Sequence, residues 1–386
     1  MRLLHTADWH LGRTLHQSDL SEDHAAYLDH LIDLVRSESV DAVLVSGDVY
    51  DRAFPPVDSV KLLHATLRRL TELTHVILTA GNHDSAQRLG FLEGLTNEHL
   101  HLRTSPRSAL QPVTIPSASG PACFLAIPYL DVDAARRAFA LPDGQLPARS
   151  HEAVMNAVVR ELDPVAAAAR EAGAHLVVAA HAFVAGGEPS ESERDIQVGG
   201  VDRIPVGVFA PLSADYVALG HLHRPQNISA ASRTRYSGSP LAFSFSEAND
   251  VKSSSLVDIT SAGVSLEEIP APVRHPLAVV RGTLAELLGR TDVSDKTRVK
   301  AILTDTVRPR EAFTQLKDHF PHLLALTHEP TEVIRESVTV TARQLADPLT
   351  VVETFVSHVT GEDMTAPQRS VLQDTYEGLL ARERTR

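Results

Sequence analysis

The stretch HVILTAGNHD at residues 75–84 joins a short apolar run to a group of polar side chains. The run His75 to Leu78 is typical of a buried strand. Asn82 and His83 follow it directly, at the place where such a strand would end. Because α/β sheets bind ligands outside the carboxyl ends of their strands, this arrangement predicts a functional loop on a layered α/β fold.

Four further motifs in the chain have the same construction. The apolar runs are Met1 to Thr6, Asp41 to Val45, His175 to Ala179 and Asp215 to Leu219. The polar motifs at their ends are Asp8-Trp-His10, Gly47-Asp48, the isolated His181, and Gly220-His221-Leu-His223. Helical patterns near 21–38, 56–73, 85–97 and 151–172 predict βαβ units, whose loops would bring the motifs together. Each motif alone is weak evidence, but the ordered set is strong.

The residue types in these motifs predict a two-metal phosphoesterase site. Two divalent cations about 3.5–4 Å apart can activate a water and neutralise the charge that develops on a phosphate diester. Carboxylates, imidazoles and one amide form a mixed oxygen and nitrogen ligand set, which suits Mn²⁺ better than an all-thiolate set. The sole cysteine, Cys123, is in none of the motifs, which excludes a structural zinc cluster of thiolates.

Composition is that of a globular enzyme. The chain has 386 residues, of which 43% are hydrophobic, enough for a large core and one or two smaller domains. One cysteine excludes an internal disulfide framework. No apolar run approaches the roughly 18 residues of a membrane span, and the chain starts in a strand, with no room for a signal peptide. We therefore expect an intracellular protein without membrane contact.

Proteins that bind nucleic acid by themselves usually have a basic surface, and the net charge of -13 argues against such a surface over the whole protein. Residues 281–310 nevertheless contain seven Lys and Arg residues against four Asp and Glu residues. This stretch is either a local contact surface for nucleic acid or a solvated surface of mixed charge.

The last third of the chain predicts a second domain and a tail. Strand patterns at 276–283, 298–304 and 322–328 alternate with helical patterns at 284–290 and 310–320, the latter with Pro309 at a helix-start position. A final strand is predicted near 332–341. Two amphipathic helices follow, one from Asp347-Pro348 to Gly361 and one from Thr365. Their apolar positions are Leu349, Val352, Val356 and Val359 in the first helix and Val371, Leu372, Leu379 and Leu380 in the second.

The five motifs resemble those of the calcineurin-like metallophosphoesterase superfamily, and further stretches resemble the bacterial SbcD nucleases. The latter are DWHLG at 8–12, GDVYDR at 47–52, IPYL at 127–130, SESERDIQVGG at 190–200, ALGHLHRPQ at 218–226 and RYSGSP at 235–240. The similarity covers about the first 270 residues.

This resemblance implies a four-layer αββα sandwich over residues 1–272, a small α/β DNA-capping domain over 273–341, and a helical segment over 342–386. It also implies a DNA nuclease that uses two Mn²⁺ ions, with Mg²⁺ as an alternative. Such an enzyme would cut duplex ends and single-stranded or hairpin DNA, together with the coiled-coil ATPase SbcC, in DNA repair and recombination. The helical segment would bind SbcC, and the protein would be cytoplasmic and associated with the nucleoid.

Site roles are also carried over from the resemblance. Asp8, His10 and His223 would hold the first metal, and Asn82, His181 and His221 the second. Asp48 would bridge both metals. His83 would act on the leaving oxygen without binding metal. Asp51 would orient His83, although a surface aspartate that starts a turn is the alternative.

Several alternatives stay open at this stage. Trp9 either stacks on a base or packs its loop on the core. The stripe Val60, Leu63, Leu67 and Leu70 is either core or a homodimer face. The tail helices either bind SbcC or fold back on their own domain. A phosphomonoesterase on the same fold is the runner-up function, against which we count Asp84 and the long C-terminal extension. A non-catalytic scaffold is a third interpretation, against which the intact ligand set counts.

Overall fold

The computed structural model describes residues 1–91, 93–94, 98–141, 143–193, 203–229, 233–330 and 348–383. The elements up to residue 171 are β1 (Arg2–Thr6), β2 (Thr14–Leu15), β3 (Ser18–Asp19), α1 (Ser21–Ser37), β4 (Ala42–Val45), α2 (Val57–Thr71), β5 (His75–Thr79), α3 (Ala86–Leu89), β6 (Leu100–Arg103), β7 (Val113–Ile115), β8 (Ala122–Ile127), α4 (Val132–Ala138) and α5 (His151–Glu171). The later strands of the large sheets are β9 (His175–His181), β10 (Tyr216–Gly220), β11 (Gln226–Ser229), β12 (Thr234–Tyr236), β13 (Ser253–Thr260) and β14 (Gly263–Pro270). The remaining elements are β15 (Leu277–Gly282), α6 (Leu284–Leu288), β16 (Arg298–Leu303), α7 (Ala312–His319), β17 (Leu323–His328), α8 (Pro348–Thr360) and α9 (Ala366–Glu383).

Two six-stranded sheets form the centre of the fold. The first has the strand order β14-β13-β1-β4-β5-β6, and the second has the order β11-β12-β10-β9-β8-β7. Strands β1, β4, β5 and β6 run parallel, as do β12, β10, β9 and β8. Inner parallel strands such as β4 and β8 are short, apolar and buried along their whole length, because both faces of each sheet are covered.

Three apolar clusters hold the layers together. One contains Leu44, Ile77 and Ala179 and lies between the two sheets. A second packs α1 and α2 on the first sheet, and a third packs α4 and α5 on the second. Helix, sheet, sheet and helix therefore alternate, which confirms the predicted α/β sandwich with helices on both outer faces.

A three-stranded parallel sheet, β15-β16-β17, forms the small domain together with α6 and α7. It belongs to the same compact unit as the two large sheets, Met1–Glu329. A buried ion pair joins it to α1, since the Asp23 carboxylate accepts from Arg298 at 2.8 Å and lies 3.1 Å from His275 Nδ1. An α/β element therefore follows residue 272, and this charged contact, together with apolar packing of Leu277 and Leu324, joins it to the core.

The tail forms a second unit, Pro330–Arg386. Its described part consists of α8 and α9, which start within one residue of the predicted positions. The strand predicted near 332–341 and the cap at Asp347 lie outside the described residues. Apolar residues of α9 are not concentrated on one face, so the prediction that this helix is amphipathic was wrong.

Other predicted details need correction. The helix expected at 85–97 is a single turn, Ala86–Leu89, in the described residues, because Gly90 ends it and Gly94 has φ +80°. Helix α7 starts at Ala312, after Glu311 in the left-handed region, so Pro309 precedes the helix rather than starting it.

Two open alternatives are decided by burial. Trp9 is fully buried and its Nε1 donates to Thr6 Oγ1 at 3.0 Å, so it packs the ligand loop on the core and does not offer a stacking surface. Leu63 and Leu70 are buried in the cluster beneath α2, while Val60 is exposed. The stripe on α2 is therefore mostly ordinary core.

Among the described helices, none has both the length and the apolar character that crossing a bilayer requires.

Candidate metal centre

The predicted ligands converge from both sheets. Asp8, Asp48 and Asn82 follow the parallel strands β1, β4 and β5, while His181 ends β9 and His221 follows β10. All these strands present their carboxyl ends at one edge of the sandwich. The site therefore lies where the strand ends of the two sheets meet, which is the usual ligand position in such folds.

Backbone hydrogen bonds fasten the first two ligand loops together. The amides of Asp8 and His10 donate to the carbonyls of Gly47 and Asp48, each at 3.0 Å. Asp8, His10 and Asp48 all have positive φ, at +55°, +46° and +49°. Such a conformation costs about 1–3 kcal/mol per residue, and it persists here because the paired loops enforce it.

Close approach of the loops requires glycine at two positions. A Cβ on Gly81 would lie 2.0 Å from Asp48 Oδ1, and one on Gly220 would lie 1.9 Å from the carbonyl oxygen of Ser46. Neither backbone could carry a side chain without moving a ligand loop. The GNHD and GHLH motifs therefore begin with glycine because no space is left for a side chain at these two positions.

Asp84 braces the same loops, a role that the sequence did not indicate. Its carboxylate accepts from the amides of Val49, Tyr50 and Gly81 at 3.1, 2.9 and 2.8 Å. Burial, together with the nearby Asp48 carboxylate, raises the pKa of Asp84 to about 6 despite these donors. The residue ties the Asp48 loop to the Asn82 loop.

The expected first set, Asp8, His10 and His223, is brought together by the fold. Their ligand atoms lie within 4.8 Å of one another, and all three side chains are buried. His10 Nε2 lies 3.1 Å from His223 Nε2.

The expected second set is also brought together. Asn82 Oδ1 lies 2.9 Å from His181 Nε2 and 3.1 Å from His221 Nδ1. His181 Nδ1 donates to the carbonyl of Ser46 at 2.8 Å, which directs its Nε2 into the site.

Asp48 lies between the two sets. Its Oδ2 is 3.6 Å from His10 Nε2 in the first set and 3.5 Å from His181 Nε2 in the second. Its Oδ1 accepts from the backbone amide of His83 at 2.9 Å, which fixes the carboxylate in this orientation. From this position the carboxylate could reach a cation in either set, as the predicted bridging role requires.

Electrostatics favour a cation at this place. Burial raises the pKa of Asp8 well above its ordinary value, and the Asp48 carboxylate adds to the rise. Burial alone would also raise the pKa of Asp48, but His181 and His10 outweigh it and lower that pKa well below its usual range. Desolvation alone would lower the pKa of His181, but Asp48 and Asp8 together outweigh it and raise this pKa to about 9. A positive charge at this place would therefore stabilise the two buried carboxylates.

The donor chemistry fits metal ions. Burial lowers the pKa of His10, His221 and His223, to about 3 for His221, so these imidazoles are neutral and can donate a lone pair. Asn82 Nδ2 and His10 Nδ1 are buried polar atoms without a hydrogen-bond partner in the part of the chain that the structure covers. Neither Asp8 nor Asp48 forms an ion pair with Lys or Arg within that part.

His83 lies beside this cluster. Its Nδ1 donates to the backbone carbonyl of Asp51 at 2.7 Å, and its ring packs edge-on against His10 with centroids 4.6 Å apart. The carboxylate of Asp51 instead lies 3.6 Å from His10 Nδ1 and 3.5 Å from Arg13. Asp51 thus contacts His83 through its main chain, whereas the resemblance predicts a contact through the Asp51 side chain.

Comparison with known proteins assigns the family. Residues 1–225 match the family described as calcineurin-like phosphoesterase, so the chain belongs to that family. With the geometry above, this makes it a metallophosphoesterase whose Asp and His cluster can hold two metal ions.

Solved structures with a similar fold include three proteins of low identity. They are a dimetal phosphatase from Danio rerio (11% identity, 70% of this chain and 96% of that chain covered, TM-score 0.43), GAP50 of the Plasmodium inner membrane complex (9%, 86% and 98%, 0.42) and a putative 5'-nucleotidase from Staphylococcus aureus (13%, 70% and 54%, 0.39). At these values they give no information on substrate.

The first prediction concerns the bridging carboxylate. Asp48→Asn should remove the charge shared by both sets, so that the protein loses tight binding of both Mn²⁺ ions while its thermal midpoint stays close to that of the parent. Isothermal calorimetry with Mn²⁺ measures the stoichiometry. The matched control is Asp58→Asn, which makes the same change at an exposed aspartate on α2. Two ions bound with parental affinity by Asp48→Asn would refute the bridging position.

Proposed function

We propose that this metallophosphoesterase is a DNA nuclease that uses two Mn²⁺ ions, or Mg²⁺ in their place, to hydrolyse phosphodiester bonds. The observation that carries the proposal is the position of Asp48 Oδ2, at 3.6 and 3.5 Å from one histidine of each ligand set. Two divalent cations held there would activate a water and neutralise charge on the phosphate. The mixed oxygen and nitrogen donors favour Mn²⁺.

His83 supplies the acid function in this proposal. Because Nδ1 donates to the Asp51 carbonyl, Nε2 is the atom left for a substrate oxygen. A protonated Nε2 would donate to the leaving oxygen and stabilise its charge. The His83 backbone amide is fixed by Asp48, so the imidazole is held close to the ligands without being assigned to either set.

A nucleic-acid substrate is supported by an exposed aromatic residue near His83. Phe54 is 70% exposed and lies three residues after Asp51, whose carbonyl His83 contacts. The Arg88 guanidinium lies 4.1 Å from the Phe54 ring centroid. An exposed ring with an adjacent cation can stack on an unpaired base and contact its phosphate.

The small domain supports this substrate less directly. Three basic residues of 281–310, Arg281, Arg290 and Arg298, are paired with Glu329, Asp292 and Asp23. Lys296, Lys300, Arg308 and Arg310 form no ion pair with any described residue, so a DNA-capping role would depend on these four side chains.

Phosphomonoester hydrolysis is the alternative. Asp84 does not count against it, because this residue serves as a loop brace and does not distinguish the substrates. Parallel assays of linear duplex DNA, single-stranded DNA and a small phosphomonoester with Mn²⁺ test the proposal. We expect cleavage of DNA. Turnover of the phosphomonoester alone would show that the alternative is correct. No turnover of any substrate would indicate a non-catalytic scaffold.

The second prediction separates acid chemistry from metal binding. His83→Gln should bind two Mn²⁺ ions as the parent does, yet cleave DNA on the order of 10²–10⁴ times more slowly, because the proton donor is lost. Calorimetry and single-turnover cleavage measure the two quantities. His64→Gln, at an exposed histidine on α2, should match the parent in both. If His83→Gln loses one ion, His83 is a ligand and its proposed role is wrong.

The third prediction concerns Phe54. Phe54→Ala should raise KM for single-stranded DNA about 5- to 150-fold, which corresponds to the ~1–3 kcal/mol of one stacked base. Turnover of a small aryl phosphodiester, which has no neighbouring bases, should stay unchanged. Leu266→Ala, at an exposed apolar residue of the edge strand β14, is the control. Equal effects on both substrates would mean that Phe54 supports the catalytic loop and does not contact DNA.

For the tail, we propose docking on an ATPase of the SbcC type, in a cytoplasmic, nucleoid-associated complex. Val352, Phe355 and Val359 are exposed on α8 at spacings of three and four, which places them on one side of the helix. An apolar stripe of this kind fits a groove or coiled coil of a partner. A homodimer also stays a proposal, and light scattering at micromolar concentration tests it; a monomer with full activity would exclude it.

The fourth prediction tests the docking. Deletion of residues 342–386 should leave metal-dependent cleavage of single-stranded DNA intact and abolish its ATP-dependent stimulation by the ATPase. Changing Val352, Phe355 and Val359 to Asp should have the same effect, because burying charge at an apolar contact costs several kcal/mol. The control is the triple change Ser370→Asp, Gln373→Asp and Thr375→Asp, at exposed polar positions of α9. Unchanged co-purification of the truncated protein with the ATPase would place the contact elsewhere.

A further inference from the structure

Three buried polar side chains lie behind the ligand His223. His223 Nδ1 is 2.5 Å from Ser192 Oγ, and Ser192 Oγ is 2.5 Å from Glu247 Oε1. Lys252 Nζ donates to Glu247 Oε2 at 2.5 Å. Relative exposures are 8% for Ser192, 1% for Glu247 and 4% for Lys252. None of the three is in a ligand motif, and Ser192 lies in the SESER stretch that begins at residue 190.

The charges of Glu247 and Lys252 determine which atom donates in each hydrogen bond from Lys252 to His223. The Glu247 carboxylate is surrounded by donors, since the hydroxyls of Ser190 and Ser244 also lie 3.2 Å from its Oε1. An ionised carboxylate beside Lys252 can only accept. Ser192 must therefore donate its hydroxyl hydrogen to Glu247, and its Oγ can then only accept from the imidazole of His223.

This order determines the histidine tautomer. If Ser192 Oγ accepts, His223 carries its hydrogen on Nδ1, and the lone pair is on Nε2. Nε2 is the nitrogen that faces His10 in the first ligand set. The tautomer that a metal ligand needs is thus selected by groups that never reach the metal position.

We propose that Ser192, Glu247 and Lys252 form a positioning relay that holds His223 with its Nε2 lone pair directed at the first metal. The relay deepens the proposed function and rests on its assignment of His223 as a ligand.

The backbone of His223 is held by residues of the same group. Its amide donates to Glu193 Oε1 at 2.8 Å, and its carbonyl accepts from Lys252 Nζ at 2.9 Å. The ring and both backbone groups of one residue are therefore fixed by the 192–193 pair and by Lys252. Such contacts to a ligating histidine fix its orientation, and their loss weakens metal binding about 10–100-fold.

Ser192→Ala is the informative substitution. It removes the hydroxyl that joins His223 to the carboxylate, yet it leaves Glu247 paired with Lys252, so no buried charge loses its partner. Glu247→Ala or Lys252→Ala would leave such a charge, and either could unfold the protein for reasons unrelated to the relay.

Two measurements test the relay. Long-range ¹H–¹⁵N NMR on protein with ¹⁵N-labelled histidine, without added metal, reports the tautomer of His223, assigned by the loss of its signal in His223→Asn. We expect the Nδ1–H form in the parent and a mixture of tautomers in Ser192→Ala. Electron paramagnetic resonance of free Mn²⁺ should then show affinity at one of the two sites reduced about 10–100-fold in Ser192→Ala. Ser246→Ala is the control, because this exposed hydroxyl adjoins Glu247 in sequence and, among the described residues, hydrogen-bonds with Ser244 and Glu191 alone.

An Nε2–H tautomer in the parent would overturn the relay, and so would parental Mn²⁺ affinity at both sites in Ser192→Ala. The tautomer of the parent requires no variant, so the proposal is tested even if Ser192→Ala does not fold. It also requires no metal or DNA. A parent that binds no Mn²⁺ would therefore refute the proposed function and not the hydrogen-bond order.

Discussion

The burial of two carboxylates side by side is the constraint on which the rest of the site depends. Asp8 and Asp48 are almost completely inaccessible, and no Lys or Arg side chain of the described residues pairs with either. An ionised carboxylate in such surroundings costs several kcal/mol unless a cation or a set of donors compensates. Partial compensation comes from the chain: the His221 amide donates to both Asp8 oxygens at 3.0 and 3.1 Å. The remaining requirement is for positive charge, which metal ions held by the Asp and His cluster can supply.

This constraint also accounts for the backbone around the site. To face one another, the ligands must leave two different sheets and bend inward, and the loops accept positive φ at Asp8, His10 and Asp48 to do so. Such strained residues keep their conformation only where neighbouring contacts over-determine it. Here the contacts are the backbone pairing of the first two loops and the three amides that Asp84 collects. The hydrogen bonds of Asp84 thus hold the strained loops in place, and the candidate ligands on these loops are rigidly positioned as a result.

The sequence predicted the layers correctly and selected side chains that the fold brings together, and it failed where contacts join residues far apart in the chain. Buried strands such as Ala42–Val45 are recognisable because a sheet covered on both faces needs continuous apolar runs. The ligands are recognisable because each follows such a strand. The roles of Glu247 and Lys252 could not be recognised from the sequence, because these residues contact His223 from positions 24 and 29 residues further along the chain. The helix expected at 85–97 shows the opposite error, in which a local pattern outweighed the glycines that end it.

Several decisive contacts are made by the main chain, and this limits what any sequence motif can report. His181 is oriented by the carbonyl of Ser46, and His83 by the carbonyl of Asp51. A carbonyl is present whatever side chain the residue carries, so these contacts place no demand on residue type at positions 46 and 51. They demand only that the loop keep its path, which the glycines and Asp84 secure. A residue can therefore occupy a motif position without its side chain performing the contact that the motif suggests. The Asp51 carboxylate, directed at His10 and Arg13, is the example in this chain.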